Sequence, residues 1–137
     1  PRIAARTFLL SEYDGNCQIY NIRLSLGTNR EPIFRTYRID IKDNKHPHAD
    51  EPWNIICLCP NCHALAREGG LDLTEMIVHL PKILNQDITS EYFEDRQGQF
   101  YPINVKLAST IEYLHYSQRH MSILLSWTHR KNQPQNE

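Results

Sequence analysis

Three of the four cysteines in this chain lie within six residues of one another, and this spacing restricts the fold more than any other feature. They are Cys57, Cys59 and Cys62, whereas Cys17 stands alone nearer the N-terminus. Four cysteines in a secreted protein would suggest two disulfides, but cysteines this close together are typical of a metal-binding turn in a reducing cytoplasm. The Pro-Asn pair between the last two cysteines forms a tight turn, from which both thiolates can bind one zinc ion at roughly 2.3 Å.

The chain has 137 residues, which suits one domain with an ordinary core, and its 23% of charged residues is typical of a globular protein. Fifteen basic against sixteen acidic residues give a net charge of −1. This balance excludes a strongly basic nucleic-acid clamp but leaves room for a local basic patch. No apolar stretch approaches the roughly 20 residues of a membrane span, and no signal peptide is evident. Because the chain begins with Pro1, we expect it to be a piece of a larger protein.

Local patterns predict an α+β fold over residues 1–130, followed by a disordered tail over residues 131–137. In the first half, apolar spacing predicts a helix, alternation predicts two strands, and a glycine pair ends a second, short helix. These elements are Arg2–Glu12, Cys17–Leu26, Ile33–Ile41 and His63–Glu68.

In the second half we expect a helix capped by Asp72 or Thr74, then an antiparallel meander, then a last helix capped by Ser117. The meander strands are Glu91–Asp95, Gln99–Leu107 and Ile111–Tyr116, and the last helix runs to about Arg130.

The run Asn54-Ile-Ile-Cys-Leu-Cys-Pro-Asn-Cys-His63 resembles the HNH endonuclease superfamily, the nucleases with a ββα-metal core. The resemblance implies a β-hairpin followed by a short helix within residues 1–70, to which residues 71–130 add the meander and flanking helices. It also implies DNA as a partner and the remainder of a larger multidomain protein as the context of this domain.

Roles for individual residues follow from the resemblance by position. Asn54 matches the residue that braces the catalytic loop, and His63 matches the histidine that helps to hold a catalytic divalent cation such as Mg²⁺. Cys59 and Cys62 match the second pair of a structural zinc site, and Cys17 matches the first residue of the first pair.

The sequence departs from the family pattern at two places. The histidine that activates water as a general base should lie near Arg38 or Asp40, and neither is a histidine. An arginine with a pKa above about 12 cannot accept a proton at neutral pH, and a carboxylate with a pKa of about 4 is a weak base for water. At the second departure, Tyr20 replaces the second cysteine of the first zinc pair, although zinc prefers Cys and His.

Two outcomes of the second departure stay open. His46, His48 or His63 would complete a zinc site of three cysteines and one histidine, or no metal remains and apolar packing holds the segment. Cys57 lies on the opposite strand face from Cys59 and is expected in the core.

Three side chains are candidates for contact with nucleic acid. Arg38 either forms an ion pair with Asp40 or binds a phosphate bidentately. Arg119 and His120, at the start of the last helix, either bind a phosphate at the helix N-terminus or only cap the helix and cover its surface.

Three functions follow, and we favour the first. It is an HNH-like nucleic-acid-binding module of a larger protein with lost or impaired nuclease activity. The alternative is an active DNA endonuclease, in which Asp40 and His63 hold one divalent cation and His46 or His48 replaces the missing base. The third is a structural or protein-interaction domain that offers a sheet edge to a partner chain.

Overall fold

The computed structural model describes residues 2–26, 30–39, 50–76, 78, 80 and 100–131. This part of the chain contains both helices and antiparallel strands, which agrees with the predicted α+β class. The elements in chain order are α1 (Arg2–Tyr13), β1 (Leu24–Ser25), β2 (Pro32–Ile33), β3 (Arg35–Arg38), a 3₁₀ turn (Pro52–Asn54), β4 (Ile55–Leu58), α2 (Pro60–Gly69), β5 (Leu71–Asp72), β6 (Phe100–Leu107), β7 (Thr110–Ser117) and α3 (Gln118–Lys131).

The segment after α1 does not form the strand predicted over Cys17–Leu26. The chain closes a turn instead, in which the Asn21 amide donates to the Cys17 carbonyl at 2.8 Å. Only β1 is extended in the expected way, and it pairs with β2. The prediction is wrong because the backbone of Gln18 bonds to Cys57 in β4 and His115 in β7, which are far away in the sequence. A local pattern cannot reveal such partners.

β3 and β4 form an antiparallel pair in which Arg35 lies opposite Leu58. The strand predicted over Ile33–Ile41 is present in part, because it is interrupted at Phe34 and its last two residues lie outside the described residues. Phe34 is 1% exposed and packs in the cluster formed with α1.

β4 is buried on both faces and divides the interior into two apolar clusters. Ile55 and Cys57 face the cluster formed with α1. Ile56 and Leu58 face the main cluster, which also contains Cys17, Cys59 and residues of β6, β7 and α3. β4 is therefore the strand against which both parts of the chain pack.

α2 contains the short helix predicted over His63–Glu68 and begins earlier, at Pro60. Proline is favoured at a first helical position because an amide there would have no partner within the helix. The helix ends before Gly70, whose φ of 89° favours a residue without Cβ. The β3–β4 hairpin thus leads almost directly into a ten-residue helix.

β5, β6 and β7 form a second antiparallel sheet in that order. The hairpin predicted for the last two meander strands is confirmed, with Phe100 opposite Ser117. The third strand of this sheet is Leu71–Asp72, which we did not predict, whereas the predicted strand Glu91–Asp95 lies outside the described residues.

α3 begins where the sequence predicts, because the Ser117 hydroxyl accepts a hydrogen bond from the His120 amide at 3.2 Å. It continues to Lys131, and the remainder of the predicted tail lies outside the described residues. Within the described ranges, no helix combines the length and the apolar character that crossing a membrane requires.

Candidate metal centre

Cys17, Cys59 and Cys62 bring their sulfur atoms together in the main apolar cluster. The three sulfurs all lie within 4.8 Å of one another, and each of these residues is at most 2% exposed. Three soft sulfur donors at this spacing fit zinc, which binds thiolates at about 2.3 Å in a tetrahedral arrangement. The grouping expected from the sequence is therefore present, and it is able to hold a metal ion.

The start of α2 positions two of the three sulfurs. Cys59 is the N-cap residue, and its sulfur accepts a hydrogen bond from the Cys62 amide at 3.4 Å. The extended backbone of Cys59 and the helical backbone that follows turn both side chains toward the same interior site. Amide donors aimed at sulfur favour the thiolate, the form that binds metal.

Cys17 reaches the same site from the turn that follows α1. This turn is closed twice, since the Cys17 carbonyl accepts from the Asn21 amide at 2.8 Å and the Cys17 amide donates to the Ile22 carbonyl at 2.9 Å. A loop closed in this way holds the sulfur in place without belonging to a helix or a strand.

The side chains of Cys17 and Cys62 interact directly. A hydrogen bond with Cys62 is the largest cause that lowers the pKa of Cys17, and burial opposes it. The same hydrogen bond, together with burial, raises the pKa of Cys62. Because zinc binds cysteine as the thiolate, a metal ion that binds both sulfurs would displace the protons that they carry.

Tyr20 occupies the position at which the resemblance would place a fourth cysteine. Its hydroxyl donates to Glu112 Oε2 on β7 at 3.0 Å. This hydrogen bond, more than burial, raises the pKa of Tyr20 to about 12. A phenol that remains protonated is not a zinc ligand, so an ion held by the three cysteines keeps one coordination position for a further ligand.

His63 follows Cys62 directly but is not part of the sulfur cluster that the described residues form. Its half-buried ring meets the Tyr37 ring edge-on, with 6.1 Å between the centroids. Burial, followed by the positive charges of Arg67 and Arg35, lowers the pKa of His63. A neutral imidazole with two arginines nearby therefore lies where the hairpin meets α2.

Asn54 connects the two strands of the hairpin through its backbone. It is 2% exposed and ends the 3₁₀ turn that precedes β4. Its carbonyl accepts from the Ile39 amide at 2.9 Å, and its amide donates to the Glu51 carbonyl at 2.8 Å. Asn54 thus fixes the end of β3 against the start of β4.

Arg38 is engaged in an ion pair, as one of its two expected roles requires, but its partner is Asp50. The Arg38 Nη2 and Nε atoms lie 2.8 Å and 3.0 Å from Asp50 Oδ1. Asp40, the partner expected from the sequence, lies outside the described residues, as do His46 and His48. Since a carboxylate already neutralises its guanidinium, Arg38 ties β3 to the segment before the 3₁₀ turn.

The two candidates at the start of α3 have different environments. Arg119 is exposed, and its Nη1 lies 3.5 Å from Glu12 Oε2. His120 is fully buried, with Nδ1 2.6 Å from the Tyr13 hydroxyl and Nε2 2.8 Å from the Pro52 carbonyl oxygen. Because a carbonyl only accepts, Nε2 carries the proton and Nδ1 accepts from Tyr13. The expected contact of His120 with nucleic acid is therefore wrong, since its ring does not reach the surface.

Sequence reasoning missed Gln18, which is fully buried. Its Oε1 accepts from the Cys57 amide at 2.7 Å, and its Nε2 donates to the His115 carbonyl at 3.0 Å. Those partners are 39 and 97 residues away, so the only local signal was the position of Gln18 beside a cysteine. Cys57 lies in the core, as expected, and burial raises its pKa.

Comparison of the chain with protein-family models, curated proteins and solved structures found no significant match.

Proposed function

We propose that this chain is an HNH-like module that binds DNA without cutting it and is stabilised by zinc at Cys17, Cys59 and Cys62. One observation carries the proposal, namely that three buried sulfurs meet where the β3–β4 hairpin joins α2. Two strands, a cysteine turn and a short helix in this order agree with what the resemblance to HNH nucleases implies. Buried thiolate ligands of this kind are typical of structural zinc, which stabilises a fold.

Positive charge beside the metal centre supports binding to DNA. Arg35 on β3 and Arg67 on α2 are exposed, and both lie close enough to His63 to lower its pKa. Exposed guanidinium groups are suited to bidentate contact with phosphate. Because the whole chain carries a net charge of only −1, binding would be local and would weaken as salt increases.

The surroundings of His63 support the loss of cleavage. A catalytic cation requires further oxygen or nitrogen ligands beside one imidazole, yet the β3 side chain that meets His63 is Tyr37, whose pKa is raised by burial. Arg38 cannot accept a proton from water, and it is paired with Asp50 at 2.8 Å.

A binding experiment tests the first half of the proposal. Zinc-loaded protein is titrated into a fluorescently labelled DNA duplex, and anisotropy is recorded at several salt concentrations. The double variant Arg35→Ala/Arg67→Ala should weaken binding by about tenfold or more and reduce the slope of log affinity against log salt by about two. Arg130→Ala, which removes an exposed arginine near the end of α3, is the matched control and should bind like the wild type.

A plasmid-nicking assay with Mg²⁺, Mn²⁺ or Ni²⁺ tests the second half. We expect no nicking by the wild-type protein above the level of His63→Ala. Metal-dependent nicking that His63→Ala abolishes would instead establish an active endonuclease. Absence of DNA binding by folded, zinc-loaded protein would favour the protein-interaction alternative.

A further inference from the structure

Gln18 satisfies the outward-facing backbone groups of two strands that belong to different sheets. On the β4 side, its amide donates to the Cys57 carbonyl at 2.9 Å, and its Oε1 accepts from the Cys57 amide at 2.7 Å. On the β7 side, its carbonyl accepts from the His115 amide at 2.9 Å, and its Nε2 donates to the His115 carbonyl at 3.0 Å. One buried residue thus makes two hydrogen bonds to each strand.

The side chain of His115 adds a fifth contact to this junction. His115 Nδ1 lies 2.9 Å from the Gln18 carbonyl oxygen, and since that oxygen only accepts, Nδ1 carries a proton. The backbone of Gln18 is therefore held between β4 and β7 and has little freedom to shift along either strand.

This junction directly follows a metal-site cysteine. Cys17 precedes Gln18 in the chain, and its sulfur must meet those of Cys59 and Cys62, which β4 and α2 carry. Because Gln18 fixes the Cys17 turn to β4, it sets the position of the Cys17 sulfur relative to the other two. Partners that hold a metal ligand in place typically contribute 10- to 100-fold to metal affinity.

We propose that Gln18 is the positioning residue of the metal centre and that it couples the Cys17 sulfur to the edge of β7. The inference rests on the metal site of the proposed function and extends it, since occupancy of the cysteine cluster then stabilises the attachment of the β5–β7 sheet to the hairpin. Gln18 itself does not touch the metal.

The isosteric variant Gln18→Met tests this inference. It keeps the volume of the side chain and removes both of its hydrogen bonds. Zinc affinity is measured by competition with a chromogenic chelator, and the geometry of the site is read from the absorption bands of bound Co²⁺. We expect zinc affinity to fall by about 10- to 100-fold and the Co²⁺ bands to shift in position.

Tyr20→Phe is the matched control, because it removes a different side-chain bond between this turn and β7, the one to Glu112. It should leave the zinc affinity and the Co²⁺ bands unchanged. If Gln18→Met does not fold, Gln18→Glu serves instead, since it retains the acceptor for the Cys57 amide and replaces the donor to the His115 carbonyl by an acidic oxygen. This variant should bind zinc more weakly than the wild type.

Two results would contradict the inference in distinguishable ways. The Gln18→Met protein could melt at a lower temperature than the wild type but bind zinc with an affinity within twofold of it and show an unchanged Co²⁺ spectrum. That result would show that Gln18 only holds the sheets together. Wild-type protein that binds neither zinc nor Co²⁺ would contradict the metal site of the proposed function itself.

Discussion

Cys62 and His63 are adjacent at the start of α2, yet they belong to regions of opposite character. The sulfur cluster is buried, and its three donors lie within 4.8 Å of one another. The His63 ring is half-buried and has an aromatic edge and two arginines as neighbours. A metal site depends on how many donors converge, and among the described residues three converge at the sulfur cluster, which does not include His63.

Removal of one sulfur from the cluster should produce the largest loss of stability. In Cys59→Ser only two thiolates remain, and since structural zinc contributes directly to folding free energy, we expect the zinc to be lost. The Tm should fall by more than about 10 °C, as for a loss of several kcal/mol. Calorimetry together with zinc analysis of the purified variant measures both.

Cys57→Ala is the control for this loss. Cys57 is an equally buried thiol two positions away, but it lies in the cluster against α1. The variant should retain zinc and lose about 1 kcal/mol of stability. Equal losses in the two variants, with zinc retained in both, would contradict the metal assignment.

A decrease in pH should produce the next largest loss of stability, through a residue outside the sulfur cluster. Burial lowers the pKa of His120 to about 4, against the backbone hydrogen bonds that raise it. In the unfolded chain the His120 ring binds a proton near pH 6.5, whereas in the folded chain it does so only near pH 4. The free energy of unfolding therefore has its full value above about pH 6.5 and decreases as the pH falls toward 4. The total loss is roughly 3 kcal/mol.

Urea unfolding isolates this contribution when wild type and His120→Gln are compared at pH 7 and at pH 4.5 with equal zinc concentration. Acid affects the cysteines of both proteins alike, so the difference between them reports on His120. The variant should be less stable at pH 7 and should lose less stability on acidification. Identical pH dependence in both proteins would show that His120 titrates normally in the folded state.

One substitution should increase the affinity of the sulfur cluster for zinc. Tyr20→Cys places a fourth thiolate at the turn that holds Cys17, and Tyr20 is 42% exposed, so the change leaves the core intact. We expect zinc to bind at least about tenfold more tightly, since four thiolates complete a tetrahedral site. Chelator competition measures the gain, and no gain would indicate that a protein side chain already fills the fourth position.

The smallest effect is expected at His63. Because its half-buried ring meets Tyr37 edge-on and lies outside the apolar core, His63→Ala should change the stability by less than about 1 kcal/mol. Zinc content should remain that of the wild type. Loss of zinc in this variant would place His63 in the metal centre and remove the contrast between the two regions.

Features with a local physical cause could be predicted from the sequence. Pro60 and Asn61, between Cys59 and Cys62, begin α2, and the glycine pair Gly69-Gly70 ends it. Two strand-like segments on either side of a short turn predicted the pairing of β6 and β7. In each case the interactions that decide the structure lie within a few residues.

Features set by distant partners could not be predicted in this way. The Cys17 turn resembles a strand in its alternation, but the hydrogen bonds of Gln18 to Cys57 and His115 decide its path. Likewise, His120 lies in the first turn of a helix, where exposure is usual, but the Tyr13 hydroxyl of α1 covers it.

Zinc analysis of the purified protein, repeated after dialysis against a chelator and followed by a thermal melt, shows directly whether a metal ion holds the three cysteines together. We expect about one zinc per chain before dialysis and a markedly lower Tm once the zinc is removed. Protein that contains no zinc and melts at the same temperature with and without chelator would show that apolar packing alone holds the cysteine cluster.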